Sequence, residues 1–110
     1  MLERSFIVLA SQTISQIADS IISQDLDGII DVNFIDEMIL YITISTKQFV
    51  ITGHTFARQI WLVSPISGPH HFSYIDNKWL NRDKQDIWPL LQTEINQLAG
   101  FNIHLNASNE

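Results

Sequence analysis

The sequence contains no cysteine among its 110 residues. This absence excludes disulfide bonds, thiolate metal sites and cysteine nucleophiles within the chain, and it fits a reducing compartment. Basic residues are also scarce, because six Lys and Arg stand against twelve Asp and Glu, which gives a net charge of -6. Nucleic-acid binding normally needs a basic stripe, so we expect no nucleic-acid partner.

Long apolar runs are missing as well, and none approaches the roughly 18 residues of a membrane-spanning helix. The first residues lack a secretory apolar segment and the Arg- and Ser-rich, acid-poor character of a transit peptide, since Glu3 comes at once. We therefore predict a cytoplasmic protein without a membrane partner. The sequence also lacks a P-loop, a nucleophile elbow, a dinucleotide-binding glycine motif and a zinc-protease motif.

The acidic residues are concentrated in the first third of the sequence. Seven of the twelve acids precede Met38, whereas only one of the six bases, Arg4, lies there. The seven acids are Glu3, Asp19, Asp25, Asp27, Asp31, Asp36 and Glu37. Such a negative field suits cations or a basic partner surface. On charge alone, the simpler explanation is a solvated face that keeps the protein soluble.

Hydrophobic periodicity predicts a helix, about six strands and a second helix. The helices cover 3–23 and 86–100, and the strands cover 30–34, 40–44, 49–53, 58–64, 70–75 and 78–81. Short turns imply antiparallel neighbours, and two terminal helices can cover one sheet face. We therefore predict an α+β fold, a two-layer α/β sandwich with both helices on one face of an antiparallel sheet. It forms a single domain over 1–106, followed by a flexible tail at 107–110.

The fourth predicted strand places a tryptophan on the uncovered sheet face. Ile60 and Leu62 share the core side, so Gln59, Trp61 and Val63 point away from the core. A large aromatic side chain on an open surface is a frequent interface anchor. The alternative is that neighbouring side chains half cover Trp61 and that it only packs against the sheet.

The four histidines carry a weaker signal. His70 and His71 are adjacent on a strand and face opposite sides, so they cannot chelate one ion together. His54 and His104 are isolated in the sequence, and ordinary surface histidines are the simplest interpretation. If His54 and His71 join Trp61 on the open face, partner binding would depend on pH near neutrality.

The run from Gln59 to Pro69, QIWLVSPISGP, resembles the signature of the frataxin family. The resemblance continues through FVI at 49–51, through Phe72 and Trp79, and through the flanking segments at 6–10 and 88–91. It covers nearly the whole chain, and the early start of the fold is similar to the bacterial branch of the family. The resemblance implies two helices on one face of an antiparallel sheet and a role in iron–sulfur cluster assembly.

The resemblance further implies weak binding of iron, as Fe²⁺ or Fe³⁺, along an acidic ridge on the first helix and first strand. The matching acids in this chain are Asp19, Asp25, Asp27 and Asp31. Carboxylate oxygens are hard ligands that suit iron. The ridge is thinned, because positions that are acidic in bacterial relatives are here Ala18, Ile22, Ser23 and Ile29.

Two partners follow from the resemblance, a cysteine desulfurase and the iron–sulfur scaffold protein. Family members dock on this complex and modulate sulfur transfer. The implied partner-facing residues are Gln59 and Trp61, with Thr52 and His71 at two further positions where this chain departs from its relatives. We expect the protein itself to be monomeric.

Three functions stay open from the sequence. The first is an iron-binding regulator or iron donor that docks on the desulfurase–scaffold complex and is not an enzyme. The second is a ferroxidase that oxidises Fe²⁺ and stores iron by oligomerising. The third is a docking module that holds no metal and uses its acids only for electrostatic attraction.

Overall fold

The computed structural model describes residues 1–107, which form two helices and six strands. In chain order the elements are α1 (Glu3–Gln24), β1 (Ile30–Ile35), β2 (Ile39–Ile44), β3 (Lys47–His54), β4 (Gln59–Ser64), β5 (Gly68–Ile75), β6 (Lys78–Leu80) and α2 (Ile87–Ala99). The tail predicted at 107–110 lies outside the described residues, apart from Ala107.

The strands form one sheet in the order of the sequence, and every neighbouring pair is antiparallel. Tight turns permit this order. Asp36 and Glu37 have φ values of 53° and 65°, and Asp76 and Asn77 have the same two values. Two consecutive positive φ values are typical of the type I′ turns whose twist matches antiparallel strands. The two-layer sandwich predicted from the sequence is confirmed.

Both helices pack on one face of the sheet and enclose the hydrophobic core. The fully buried residues of α1 recur at helical spacing and include Phe6, Ala10, Ile14, Ile17 and Ile21. Contrary to the expectation that no segment approaches a membrane-spanning helix, α1 is long and apolar enough to cross a membrane by length and composition alone. Its buried stripe belongs to the same core cluster as the sheet residues, as expected for a core helix of an α/β sandwich.

One residue assigned to the acidic ridge belongs to this core instead. Ala18 is only 2% exposed, because it extends the buried stripe of α1 between Ile14 and Ile21. An acidic side chain at this position would meet apolar neighbours rather than water. By contrast, Ile22 and Ile29 are 59% and 47% exposed.

Helix α2 begins and ends at the predicted residues. The Asp86 side chain accepts a hydrogen bond from the Trp88 amide at 3.0 Å, so it is the N-cap. Gly100 has a φ of 80° and ends the helix in the left-handed conformation, which glycine adopts without strain. The following segment buries Ile103 and Leu105 in the core cluster.

The strand limits differ modestly from the predicted ones. β3 is longer at both ends, from Lys47 to His54, and β5 begins at Gly68 rather than His70. Polar and turn-forming residues at these ends weaken the periodic signal, whereas pairing with the neighbouring strand continues through them. The extension of β3 matters for the site, because it brings His54 into the sheet.

Candidate functional site

The uncovered sheet face is the first candidate site, and strand pairing assembles it. Thr52 on β3 pairs with Trp61 on β4, and Trp61 pairs with His71 on β5. Since side chains of paired residues lie on the same face of a sheet, these three form a row across its centre. His54 lies two residues beyond Thr52 and therefore on the same face.

A stack of three aromatic rings occupies this row. The centroids of the His54 and Trp61 rings are 3.6 Å apart with an interplanar angle of 23°. The centroids of the Trp61 and His71 rings are 4.2 Å apart at 12°. The two imidazoles therefore cover both faces of the indole. We call His54, Trp61 and His71 the aromatic stack.

The aromatic stack decides between the two arrangements that the sequence left open for Trp61. Trp61 is half-buried rather than displayed, so it presents its edge and not its ring faces to solvent. His54, which is isolated in the sequence, is one of the two residues that cover it. His54 and His71 thus join Trp61 on the open face, which is the condition under which the sequence analysis expects partner binding to depend on pH.

Hydrogen bonds fix the orientation of the aromatic stack. The Trp61 indole N–H donates to Gln59 Oε1 at 2.8 Å, and Gln59 Nε2 donates to Ser73 Oγ at 3.2 Å. Thr52 Oγ1 lies 2.7 Å from His54 Nε2. The sequence-predicted residues Thr52, Gln59, Trp61 and His71 thus meet at one place. The network adds His54 and Ser73, whose roles depend on the registers that join β4 to the strands on either side.

The stack is uncharged on its His54 side near neutral pH. Partial burial lowers the pKa of His54 below its ordinary value, and the nearby His71 imidazole lowers it further. Exposed Val63 and Ile75 lie on the same face and extend an apolar surface around the stack. An apolar, aromatic and hydrogen-bonded surface of this kind suits protein docking.

The acidic region, by which we mean Asp19, Asp25, Asp27 and Asp31, is built differently. Asp19, Asp27 and Asp31 are exposed, whereas Asp25 is partly buried. The two carboxylate oxygens of Asp25 accept hydrogen bonds from the amides of Ile29 and Ile30, at 3.0 and 2.7 Å. Asp25 therefore closes the loop between α1 and β1, a role that the sequence analysis did not predict.

The structure does not gather these acids into a chelating centre. Within residues 1–107, no group of three or more His, Asp or Glu side chains is placed to hold a metal ion together. Each exposed aspartate can still offer one carboxylate to a hydrated cation. The arrangement allows separate, weak contacts with iron rather than one enclosed site.

The serine that opens the SPISGP run has a structural role. Ser64 Oγ accepts hydrogen bonds from the amides of Ile66 and Ser67, at 2.9 and 3.1 Å. It also donates to the buried Glu94 carboxylate of α2 at 2.6 Å. Ser64 therefore ties the β4–β5 turn to the helical layer, which holds the two strands beneath Trp61 and His71 in place.

Ser67, His70 and Asn81 lie beside this turn and are linked by hydrogen bonds like the members of a hydrolytic triad. However, His70 carries its proton on the ring nitrogen that faces the serine. Asn81 Oδ1 accepts from the amides of Asp83 and Gln85, at 3.0 and 2.9 Å, so its Nδ2 must be the donor to His70 Nδ1. His70 Nε2 therefore carries the proton and donates to Ser67 Oγ at 2.7 Å. In this tautomer His70 cannot accept the serine proton.

The sequence of this chain is similar to those of frataxins. Residues 1–101 match the model of the frataxin-like domain. The mitochondrial frataxin of Dictyostelium discoideum is 38% identical over 71 residues, which are 61% of this chain and 37% of that protein. The mitochondrial frataxin of Arabidopsis thaliana is 31% identical over 111 aligned positions, 94% of this chain and 59% of that protein. The chain thus spans well under two thirds of either relative.

Solved structures agree on the fold. The frataxin of Psychromonas ingrahamii superimposes with a TM-score of 0.85 at 20% identity, over 97% of this chain and all 100% of the other. The trimeric frataxin of Saccharomyces cerevisiae, solved as a complex with ferrous iron, gives 0.73 at 25% identity, over 84% of this chain and 86% of the other.

The fold and the open face define a class of small α/β sandwich proteins in which one face of an antiparallel sheet stays uncovered. The family match over residues 1–101 narrows this class. The chain belongs to the frataxin family, whose members are linked to iron handling and iron–sulfur cluster assembly. The resemblance stated from the sequence is confirmed.

Proposed function

We propose that this protein regulates iron–sulfur cluster assembly by docking on the cysteine desulfurase and the scaffold protein. The open sheet face, centred on the aromatic stack and Gln59, is the proposed docking surface. The exposed aspartates bring Fe²⁺ to the complex or sense its concentration. Family membership and the chemistry of the two regions support this proposal.

The observation that carries the proposal is the fixed geometry of the open face. The indole is held between His54 and His71 and its N–H is bonded to Gln59. Side chains that are ordered before binding lose little conformational entropy when a partner arrives. Such a surface suits specific docking, and its central tryptophan is a residue type frequent among interface anchors.

The separate acids support weak iron binding rather than storage. Asp19, Asp27 and Asp31 are exposed, and water would complete the coordination of an ion at each of them. An ion held by one carboxylate exchanges readily, as a donor or a sensor requires. The ferroxidase alternative needs carboxylates and histidines grouped around paired iron ions, and residues 1–107 of one chain form no such group.

One observation favours the alternative of a docking module without metal. Asp25, one of the four acids assigned to the ridge, uses its carboxylate to hold the amides of Ile29 and Ile30. In that alternative the remaining acids act only by attracting a basic surface. Binding to the partner would then weaken with salt, because exposed charges are screened within about 10 Å at 0.1 M ionic strength.

The test is binding of the purified chain to the cysteine desulfurase–scaffold complex of the same organism. We expect Trp61→Ala to weaken the affinity about thirtyfold or more, because truncation of an anchor removes at least about 2 kcal/mol. Val63→Ala is the matched control on the same strand and face, and it should change the affinity less than about threefold. Equal affinities for the two variants would contradict the proposal. Repeating the titration with added Fe²⁺ separates the iron-dependent form from the metal-free one.

A further inference from the structure

The two edges of the sheet differ in how well they are protected against pairing with a strand of another chain. On one side, β6 is only three residues long, and the part of β5 that runs beyond it contains Pro69, which has no amide hydrogen to offer. Leu80 of β6 is bridged to Asp86, which shields this edge further. These are the usual devices that prevent a sheet from pairing with another chain.

The opposite edge, β1, has none of these devices along most of its length. β1 contains six residues without proline or lysine, and within the described part of the chain it pairs only with β2. The amide of Ile30 donates to Asp25 and not to β2, so the backbone groups of Ile30 point outward. Since backbone groups alternate between the two sides of an antiparallel strand, those of Val32 and Phe34 also point outward. Among residues 1–107, no hydrogen bond outside the β1–β2 ladder occupies them.

A groove runs beside this free edge on the helical side of the sheet. It lies between the flank of α1 and the end of β1 and is lined by Ser11, Gln12, Ser15, Gln16, Phe34 and Glu37. Phe34 is 39% exposed within it. The two small serines on the helix leave space, and the phenyl ring of Phe34 offers an apolar contact. Alternate side chains of a strand added to β1 would enter this groove.

The charge around the edge is of one sign. Residues 5–46 contain six acids and no Lys or Arg. Asp27, Asp31, Asp36 and Glu37 flank β1 and are exposed. Two copies of this chain joined through β1 would bring these acids together, which is unfavourable. An extended segment carrying Lys or Arg would find opposite charges along its length.

We infer that β1 binds an extended segment of another protein by strand addition. The segment continues the sheet through the backbone groups of Val32 and Phe34. It alternates apolar residues, which enter the groove beside Phe34, with Lys or Arg, which face Asp31 on the open side of the sheet. This site is distinct from the aromatic stack and does not depend on the proposed function.

The test uses a synthetic peptide of alternating valine and lysine, eight residues long, with both ends blocked. Added to the isotopically labelled full chain, it should shift the amide resonances of Val32 and Phe34 more than those of β3 and β4. The same peptide with N-methylated amides should bind at least about tenfold more weakly, because it cannot form the backbone hydrogen bonds. A peptide of four consecutive valines and four lysines has the same charge without the alternation, and it should also bind weakly.

Two variants of the chain complete the test. Val32→Pro removes one outward amide hydrogen without removing a bond to β2, and it should weaken binding of the alternating peptide about tenfold. Val32→Thr keeps the amide and the branched side chain and should bind as the unchanged protein does. If Val32→Pro fails to fold, the N-methylated peptide and the resonance shifts of the unchanged chain still distinguish strand addition from attraction by charge alone.

Equal binding of the alternating, N-methylated and block peptides would overturn the inference, since it would show attraction by charge alone. Shifts confined to residues away from β1 would overturn it as well. A concentration-dependent dimer of the chain, with the same amides protected in the absence of peptide, would show that a second copy is the occupant instead. None of these outcomes bears on binding of the desulfurase–scaffold complex by Trp61, so the two proposals fail separately.

Discussion

The open sheet face and the acidic region differ in how firmly the fold holds their side chains. On the open face, His54, Trp61 and His71 contact one another ring to ring, and Gln59 holds the indole N–H. In the acidic region, the exposed aspartates lie apart and only Asp25 has defined hydrogen-bond partners. One region is a preformed contact surface, and the other is a field of separate charges.

This difference shows that the two regions respond to substitution by different rules. Removing one member of a preformed network leaves the other members without support, so single changes have large and specific effects. Removing one of several dispersed charges leaves most of the field in place. Asp25 is the exception, because it belongs to the acidic region by position and to a hydrogen-bonded network by contact.

The largest effect on stability is expected from substitution of Asp25, and it tests whether Asp25 belongs to a hydrogen-bonded network. Asp25→Ala removes the acceptors of two backbone amides, and it should lower the free energy of unfolding by about 2 kcal/mol. Asp27→Ala, two residues away and exposed, should change it by less than about 0.5 kcal/mol. Urea unfolding of both variants measures the difference. If both were equally stable, Asp25 would be one more dispersed charge and the distinction drawn here would fail.

A smaller effect, on the affinity for the complex, is expected from substitution of Gln59 on the open face. Gln59→Ala removes the acceptor of the Trp61 indole N–H, which lies 2.8 Å away. We expect the affinity for the desulfurase–scaffold complex to fall about fivefold, which corresponds to about 1 kcal/mol for one hydrogen bond. Gln48→Ala is the matched control, because Gln48 also bonds a neighbouring side chain, Thr43, and is exposed. The Gln48 variant should bind as the unchanged protein does.

Acidification should destabilise the fold slightly through His54. The folded-state pKa of His54 is lowered by burial and by His71, so the folded protein binds a proton less readily than the unfolded chain does. Its contribution to stability is therefore present above the unfolded pKa of about 6.5 and is lost as the pH falls below it. Unfolding at pH 7.5 and 5.5 should show a larger loss in the unchanged protein than in His54→Asn. An equal loss in both would exclude His54 as the source.

The smallest effect concerns iron. Because the exposed acids do not converge, replacing Asp19, Asp27 or Asp31 singly by asparagine should change the Fe²⁺ affinity less than about threefold. Anaerobic titration followed by amide resonance broadening measures each variant. Loss of all broadening after a single substitution would reveal one shared site and would contradict the description of separate charges.

Local sequence patterns predicted most of the fold. The alternation in β4 placed Trp61 on the open face, and Asp86 and Gly100 marked the ends of α2. These predictions are correct because side-chain direction within a strand and capping of a helix depend on residues that are close in the chain. The QIWLVSPISGP run allowed the family to be recognised because the whole motif is a run of consecutive residues.

The composition of the two regions was determined by the sequence, but their internal organisation was decided by the tertiary structure. The acids before Met38 and the tryptophan of the fourth strand are evident from the sequence alone. That His54 and His71 enclose Trp61 depends on the registers between β3, β4 and β5, which the alternation within each strand does not specify. Likewise, Ala18 is buried and Asp25 binds two amides only because α1 turns back onto β1. Such contacts depend on strand register, helix packing and loop conformation, which local periodicity does not encode.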